Sequence, residues 1–437
     1  MNSYSSITRN FKHHSIFKYH NHFQTTHSFL LTIMTIRNIA LTLFALQVSA
    51  LSLHAQTLKD AYRDYWYTGV SVNQWEVAAD KSAANKHDVT GFISADQTEN
   101  WQVVEKNFNS VVAENCMKME VIHPAEGVYD FTLADQFVEK ALASGLRVHG
   151  HVLIWHSQCP DWFHKDSEGN LVSREVLKKR MREHIHTILG HFKGRVSSWD
   201  VVNEAFEDDG SLRKSLFYQI LGEDYIPLAF QYAHEADPNV ELYYNDFSMN
   251  KPAKVEGVCK FFRPLIEKGL PIDAIGMQGH MIFEDGPQKI ISQYDHSIKT
   301  IASLGVKTFF SEVDLSILPN PYGFAGANIS DRFAYRPEMD PYKDGVPAEK
   351  QKEIDLFWVD WFKMLISNKE HINRVTFWCV NDANSWKNDF PIRGRKDYAT
   401  LVDRNNTMKP VVQDIIELVM PKPECQAKGK KAKKSKK

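Results

Sequence analysis

The sequence predicts a (β/α)8 (TIM) barrel, an eight-stranded parallel sheet closed on itself with helices outside, in a single domain. Three observations carry that expectation. Between Leu58 and Met420, eight short apolar runs alternate with longer amphipathic segments, the pattern of repeated βαβ units. Nearly every run begins apolar and finishes on polar residues. No GxGxxG follows the first run, so the runner-up, an open doubly wound sheet, lacks its dinucleotide-binding turn.

The runs, in order, are "YTGVSVN" (67–73), "SVVAENCMK" (110–118), "RVHGHVLIW" (147–155), "VSSWDVVNE" (196–204), "VELYYNDF" (240–247), "AIGMQGH" (274–280), "KTFFSEVDL" (307–315) and "RVTFWCVND" (374–382). Helix candidates lie between them. Ser173 caps "REVLKKRMREHIHTILGHF", where Val176, Leu177, Met181, Ile185, Ile188 and Leu189 build one face. "FTLADQFVEKALASG" stops on Gly145 and "KVEGVCKFFRPLIEKG" on Gly269, the residue expected at a helix end. "QKEIDLFWVDWFKMLISNK" precedes the last run, and 318–347, rich in Pro, Gly, Asn and Asp, reads as a long loop.

Composition excludes more than it selects. The 437 residues are 43% hydrophobic and 24% charged, with a net charge of −2, ordinary for a globular protein. No basic stripe interleaved with aromatics marks a nucleic-acid surface. Ten Trp, 16 Tyr and 26 Phe supply flat faces that fill cores and also stack on sugar rings. The cysteines, Cys116, Cys159, Cys259, Cys379 and Cys425, are scattered without a CxxC pair, which gives no support for a zinc site.

The ends differ from the middle. Residues 1–33 are His-, Ser- and Asn-rich without amphipathic period and read as a disordered extension or a mis-assigned start. From Met34 the pattern is a secretory signal, one Arg, the apolar run "IALTLFALQVSALSL", then "HAQ", so 34–55 is expected to be a signal peptide. An uncleaved anchor is the alternative, although Gln and Ser interrupt the run. The tail 423–437 is lysine-rich and of low complexity, a solvated disordered end or a tether to an acidic surface. The barrel is expected over 57–422, in a secreted or periplasmic protein.

In a barrel the C-terminal strand ends converge on one face, where sites are built. Two carboxylates there stand out, Glu204 after the fourth run and Glu312 after the seventh. Cleaving a glycosidic bond needs such a pair. Glu312 and Asp314 are two apart and share a strand face, as do Gln278 and His280 on the neighbouring run. A His280 oriented by Asp314 would hold Glu312 ionised and aimed. Asn203 and Glu204 are adjacent, so regular strand geometry would send them to opposite faces. If both touch one ligand, the chain must leave that geometry. His149, His151 and His156 lack an acid at ligand spacing, so no metal is expected. Trp378 and Trp386 flank the polar turn "NDANS" and suit stacking walls.

The segments "ENCMKME", "HPAEGVYDF", "GHVLIWHSQCPDW", "WDVVNEAF", "YYNDF", "GMQGH", "SEVDL" and "FWCVNDANSW", in this order, resemble glycoside hydrolase family 10, chiefly retaining endo-1,4-β-xylanases. The resemblance runs from about Tyr65 to Met420. It implies Glu204 as general acid/base, Glu312 as nucleophile, and His280 and Asp314 as the groups positioning Glu312. It implies that Asn203 binds the sugar 2-hydroxyl. Lys118, His151, Trp155, Gln278, Trp378 and Trp386 would line the subsite at the cleaved bond, with Glu114 and Asn115 gripping the next sugar. Cys379 stands where the family commonly has Gly, and Val313 where it more often has Leu. The implied partners are xylan or xylo-oligosaccharides, with no cofactor, no nucleic acid and no stable membrane insertion, in a monomer. A retaining glucanase on β-1,4- or mixed-linkage glucan would carry the same acids, and a non-catalytic carbohydrate-binding barrel would lose one.

Overall fold

The computed structural model describes residues 57–73, 99–321 and 332–420. The extension, the signal segment, the basic tail with Cys425 and the last two residues of the expected barrel range lie outside the described residues. Among the described residues eight strands form the barrel: β1 Tyr67–Val72, β2 Ser110–Ala113, β3 Arg147–Gly150, β4 Ser198–Asn203, β5 Glu241–Asp246, β6 Ala274–Met277, β7 Lys307–Ser316 and β8 Ile372–Phe377. Each pairs in parallel with the next, and β8 closes on β1 with Tyr67 opposite Arg374. Closure leaves no edge strand to protect.

Outside the strands run α1 Asn100–Asn107, α2 Thr132–Ala143, α3 Arg174–Phe192, α4 Tyr225–Ala236, α5 Pro252–Glu267, α6 Pro287–Ala302, α7 Ala348–Ser367 and α8 Val411–Glu417. Their ends follow local chemistry. Ser173 Oγ accepts the Val176 N–H at 3.3 Å, which satisfies one orphan donor at the start of α3. Gly145 and Gly269 adopt φ of +69° and +89° just past α2 and α5. One expectation is corrected on α3. The buried stripe runs through Leu177, Met181, His184, Ile185 and Ile188, while Val176 is exposed. Val176 belongs to the row of Arg180 and Glu183, which is polar.

Except for β7, the strands are also shorter than their apolar runs. β2 stops at Ala113 and β8 at Phe377. The third run breaks after Gly150 and resumes at Ile154–Trp155, paired with β4. The sixth breaks after Met277 and resumes at His280–Ile282, where His280 lies opposite Asp314 of β7. An ideal strand sends alternate side chains outward, so polar residues that must all reach the mouth depart from it.

Behind β3 a histidine pair is sealed in the core. His184 Nε2 donates to the Leu153 carbonyl at 2.9 Å, and the two Nδ1 atoms of His184 and His123 lie 2.9 Å apart. The carbonyl only accepts, so His184 Nδ1 takes the proton of His123 and both rings are neutral. Burial lowers His123 to about 4, and burial together with the neighbouring His123 lowers His184 to about 3. Burial likewise lowers His149, His156 and His164 to about 4. Because the folded-state values are depressed, the unfolded chain takes up protons first as pH falls below about 6.5. The stability that these histidines contribute is therefore full above that pH and declines toward pH 4. Urea unfolding at pH 7.5, 6.5, 5.5 and 4.5 should give a falling midpoint below 6.5, with a slope up to about 1.4 kcal/mol per pH unit for each histidine. A flat profile would contradict it.

Candidate active site

Trp199, Val201 and Val202 of β4 are buried and carry the chain to the mouth. At Glu204 the backbone turns to φ +56°, the left-handed region that costs an L-residue about 1–2 kcal/mol. That turn resolves the clash of adjacent polar residues, since Asn203 and Glu204 both reach the mouth. The Glu204 N–H donates to the Asn245 carbonyl at 2.9 Å. Its carboxylate accepts from Trp155 Nε1 at 2.9 Å on one oxygen and from Gln278 Nε2 at 2.8 Å on the other.

Glu312 meets a different set. Asn245 Nδ2 donates to Oε1 at 3.1 Å and His280 Nε2 faces Oε2 at 3.1 Å. The other ring nitrogen of His280, Nδ1, faces Asp314 Oδ2 at 2.9 Å. Only the imidazolium can donate from both nitrogens. Burial works against that charge, but Asp314 and the hydrogen bonds to Asp314 and Glu312 outweigh it and raise His280 to about 9. Asp314 also accepts from Trp386 Nε1 at 2.7 Å and has Lys387 Nζ at 3.6 Å. Burial opposes its ionisation, yet the charges of His280 and Lys387 hold its carboxyl below the usual range.

The remaining expected residues gather around these two acids. Lys118 donates to Asn115 Oδ1 at 3.1 Å and Gln158 Oε1 at 2.9 Å, with its ammonium 4.9 Å from the Trp155 ring centre. Burial lowers its affinity for the proton, and Glu312, Glu114 and Glu204 restore it in part. Glu114 accepts from the Ser71 hydroxyl at 3.0 Å, and burial pushes its carboxyl up. His151 Nδ1 bonds Asp200 at 2.8 Å, and His149 Nε2 reaches the same oxygen at 3.1 Å. Trp378 stands edge-on to His151 at 6.1 Å, and Trp386 stacks on Phe390 at 5.0 Å. Cys379 has φ +71°, a backbone that explains why glycine suits this position, and its N–H donates to Ser71 at 2.6 Å.

The sequence places Asn245 among the polar strand ends at the mouth but assigns it no role in the site. Its Nδ2 donates to both Asn203 Oδ1 and Glu312 Oε1, each at 3.1 Å, while its Oδ1 accepts from Ser311 at 2.7 Å. The signal was its place beside Asp246 at the end of the fifth run. Asp200 and Ser71 were missed as well, because each looks like an ordinary strand residue. Among the described residues no group of three or more His, Cys, Asp or Glu is placed to hold a metal ion, and no helix is long and apolar enough to cross a membrane.

The sequence profile described as "Glycosyl hydrolase family 10" matches residues 58–418. The chain belongs to glycosyl hydrolase family 10. Among its relatives, endo-1,4-beta-xylanase A of Xylanibacter ruminicola is 43% identical, with 86% of this chain and 97% of that protein aligned. A solved family 10 endoxylanase retrieved from a sugarcane soil metagenome superposes with a TM-score of 0.76 at 35% identity, over 83% of this chain and all (100%) of that one. An intracellular xylanase of Thermoanaerobacterium saccharolyticum, solved as a mutant in complex with xylotriose, gives 0.68 at 31% identity, over 83% and 99%.

The His280 bridge makes a direct prediction. Its imidazole should stay charged through neutral pH and titrate near 9, with the bonds to Glu312 and Asp314 present below that pH and lost as pH rises through it. The ring 15N shifts of His280, assigned with a His280→Asn variant, should be constant from pH 5 to 8. A transition near 6.5 would show an unpaired ring.

Proposed function

We propose that this protein is an endo-1,4-β-xylanase that cleaves internal bonds of xylan with net retention of anomeric configuration. One observation carries the division of labour. Glu312 faces a charged imidazole, whereas the Glu204 carboxyl is held by neutral donors only. A nucleophile is served by a partner that keeps it ionised, and an acid/base by partners that leave its proton free to move.

In the reaction a Glu312 oxygen attacks the anomeric carbon while the bond to the leaving sugar breaks, and the departing oxygen takes the Glu204 proton. Glu204, now a carboxylate, takes a proton from water. That water's oxygen attacks the same carbon and releases Glu312. Asn203, its amide fixed by Asn245, presents N–H groups to the 2-hydroxyl. Lys118, His151, Trp155, Gln278, Trp378 and Trp386 surround the sugar at the cleaved bond, and Glu114 and Asn115 hold its neighbour. The xylan preference rests on the xylanase relatives and the xylotriose complex of a structural neighbour. Export through the signal-like segment after Met34 and action as a monomer belong to the same proposal, and N-terminal sequencing with sedimentation of the mature protein would test them.

Glu312→Ala should lower xylan turnover at least about 1,000-fold, and near-normal activity would remove it as nucleophile. Glu204→Ala should lose about 100-fold or more on xylan yet still form the glycosyl-enzyme from a sugar with an activated leaving group. Equal losses on both substrates would contradict the acid role. Incubation with xylan, cellulose and mixed-linkage glucan should release short oligomers from xylan first, with the β-anomer as initial product by NMR. Faster cleavage of a glucan would overturn the substrate assignment.

A further inference from the structure

Immediately after Glu204 the chain is anchored by Tyr244 and Asp246 of β5. The Ala205 N–H donates to the Tyr244 hydroxyl at 3.1 Å, and the Phe206 N–H to Asp246 Oδ2 at 3.3 Å. Tyr244 donates its own proton to Asp246 Oδ2, and the Phe247 N–H reaches Oδ1 at 2.9 Å. Lys254, at the start of α5, places its ammonium 2.8 Å from Asp246 Oδ1 and 3.7 Å above the Phe247 ring. Tyr244, Asp246 and Lys254 are all fully buried, at 0% exposure.

The loop that follows is docked on the same helix. A Cβ on Gly257 of α5 would lie 2.4 Å from the Gly210 carbonyl oxygen, so the two backbones touch. Arg213 folds back, with Nε donating to the Glu204 carbonyl at 3.0 Å and Nη2 to that of Phe206 at 3.3 Å. The two N–H groups beyond Glu204 and the carbonyl of Glu204 itself are therefore all bound by side chains.

A buried lysine–aspartate pair is a poor source of stability, because desolvation cancels most of its attraction and apolar residues of similar volume do as well. This one sits where a left-handed glutamate needs its following peptides fixed. We propose that the Lys254–Asp246–Tyr244 array is a positioning device for Glu204. It holds the strained backbone that aims the acid/base carboxyl, while leaving Glu312 to Asn245 and His280. The inference rests on the acid/base reading of Glu204. The array acts on proton transfer to the leaving oxygen and back from water, and not on attack by Glu312.

The test compares substrates that differ in their need for an acid. In the full chain, the double variant Lys254→Met with Asp246→Asn should lower kcat/KM on xylan about 100-fold, and Tyr244→Phe about 10-fold. Formation of the glycosyl-enzyme from dinitrophenyl β-xylobioside should stay within about 3-fold, and azide should raise its turnover by replacing water in the second step. Equal loss on both substrates would reduce the array to a general structural role and overturn the proposal, as would unchanged xylan cleavage. If the double variant does not fold, Tyr244→Phe, which removes one oxygen, decides by the same ratio. Glu204→Ala run in parallel separates the failures. If it lacks the leaving-group split, the acid/base reading falls; if it has the split and the array variants do not, the positioning proposal falls alone.

Discussion

Asn245 and Gln278 each hold both glutamates, one at its carboxylate through the side chain and the other at its backbone N–H through the main-chain carbonyl. Asn245 accepts the Glu204 N–H on its carbonyl and donates its amide to Glu312. Gln278 does the reverse, donating its amide to Glu204 and accepting the Glu312 N–H on its carbonyl at 2.7 Å. Asn245 is the last residue but one of β5 and Gln278 follows β6, the two strands that lie between β4 and β7 in the barrel. The relation between the two acids is thus set by the sheet itself rather than by loops, and rigid elements give sites their precision.

Around that frame the mouth is a balanced set of buried charges. His280, Lys118 and Lys387 face Glu312, Asp314 and Glu114, of which Lys118, Lys387, Glu312 and Asp314 are buried and His280 and Glu114 half-buried. Ions taken out of water are costly unless each finds a partner of fixed geometry. Here those partners are pre-aimed, so little reorganisation is left for the moment when charge moves between Glu312 and the sugar in the proposed displacement. The indole N–H groups of Trp155 and Trp386 add a link of another kind, because residues that would face the sugar also hold Glu204 and Asp314.

Much of this was legible in the sequence. The eight runs, their order, their polar ends and the His280–Glu312–Asp314 arrangement follow from periodicity, since two residues apart on a strand means one face. The difficulty at Asn203 and Glu204 was legible too, although not its solution, because a positive φ at a glutamate depends on what binds the next peptides. Those binders are remote in sequence. Lys254 opens a helix in "KPAKVEGV", where a lysine normally stands in water, and nothing local says that Asp246 waits beneath it. Asn245 was visible as a polar strand end, but its hold on both acids is a product of barrel closure. Val176 failed for a simpler reason, as the helix phase was set by neighbours one position along.

In the proposed displacement the charged His280 gives Glu312 the attacking role, and the neutral donors on Glu204 leave it the proton-transfer role. The most direct measurement is covalent trapping with a 2-deoxy-2-fluoro xylobioside bearing an activated leaving group, followed by mass spectrometry of the digested protein. One fluoroxylobiosyl group should be added, carried on the peptide that contains Glu312. A label on Glu204, or on any other residue, would contradict it.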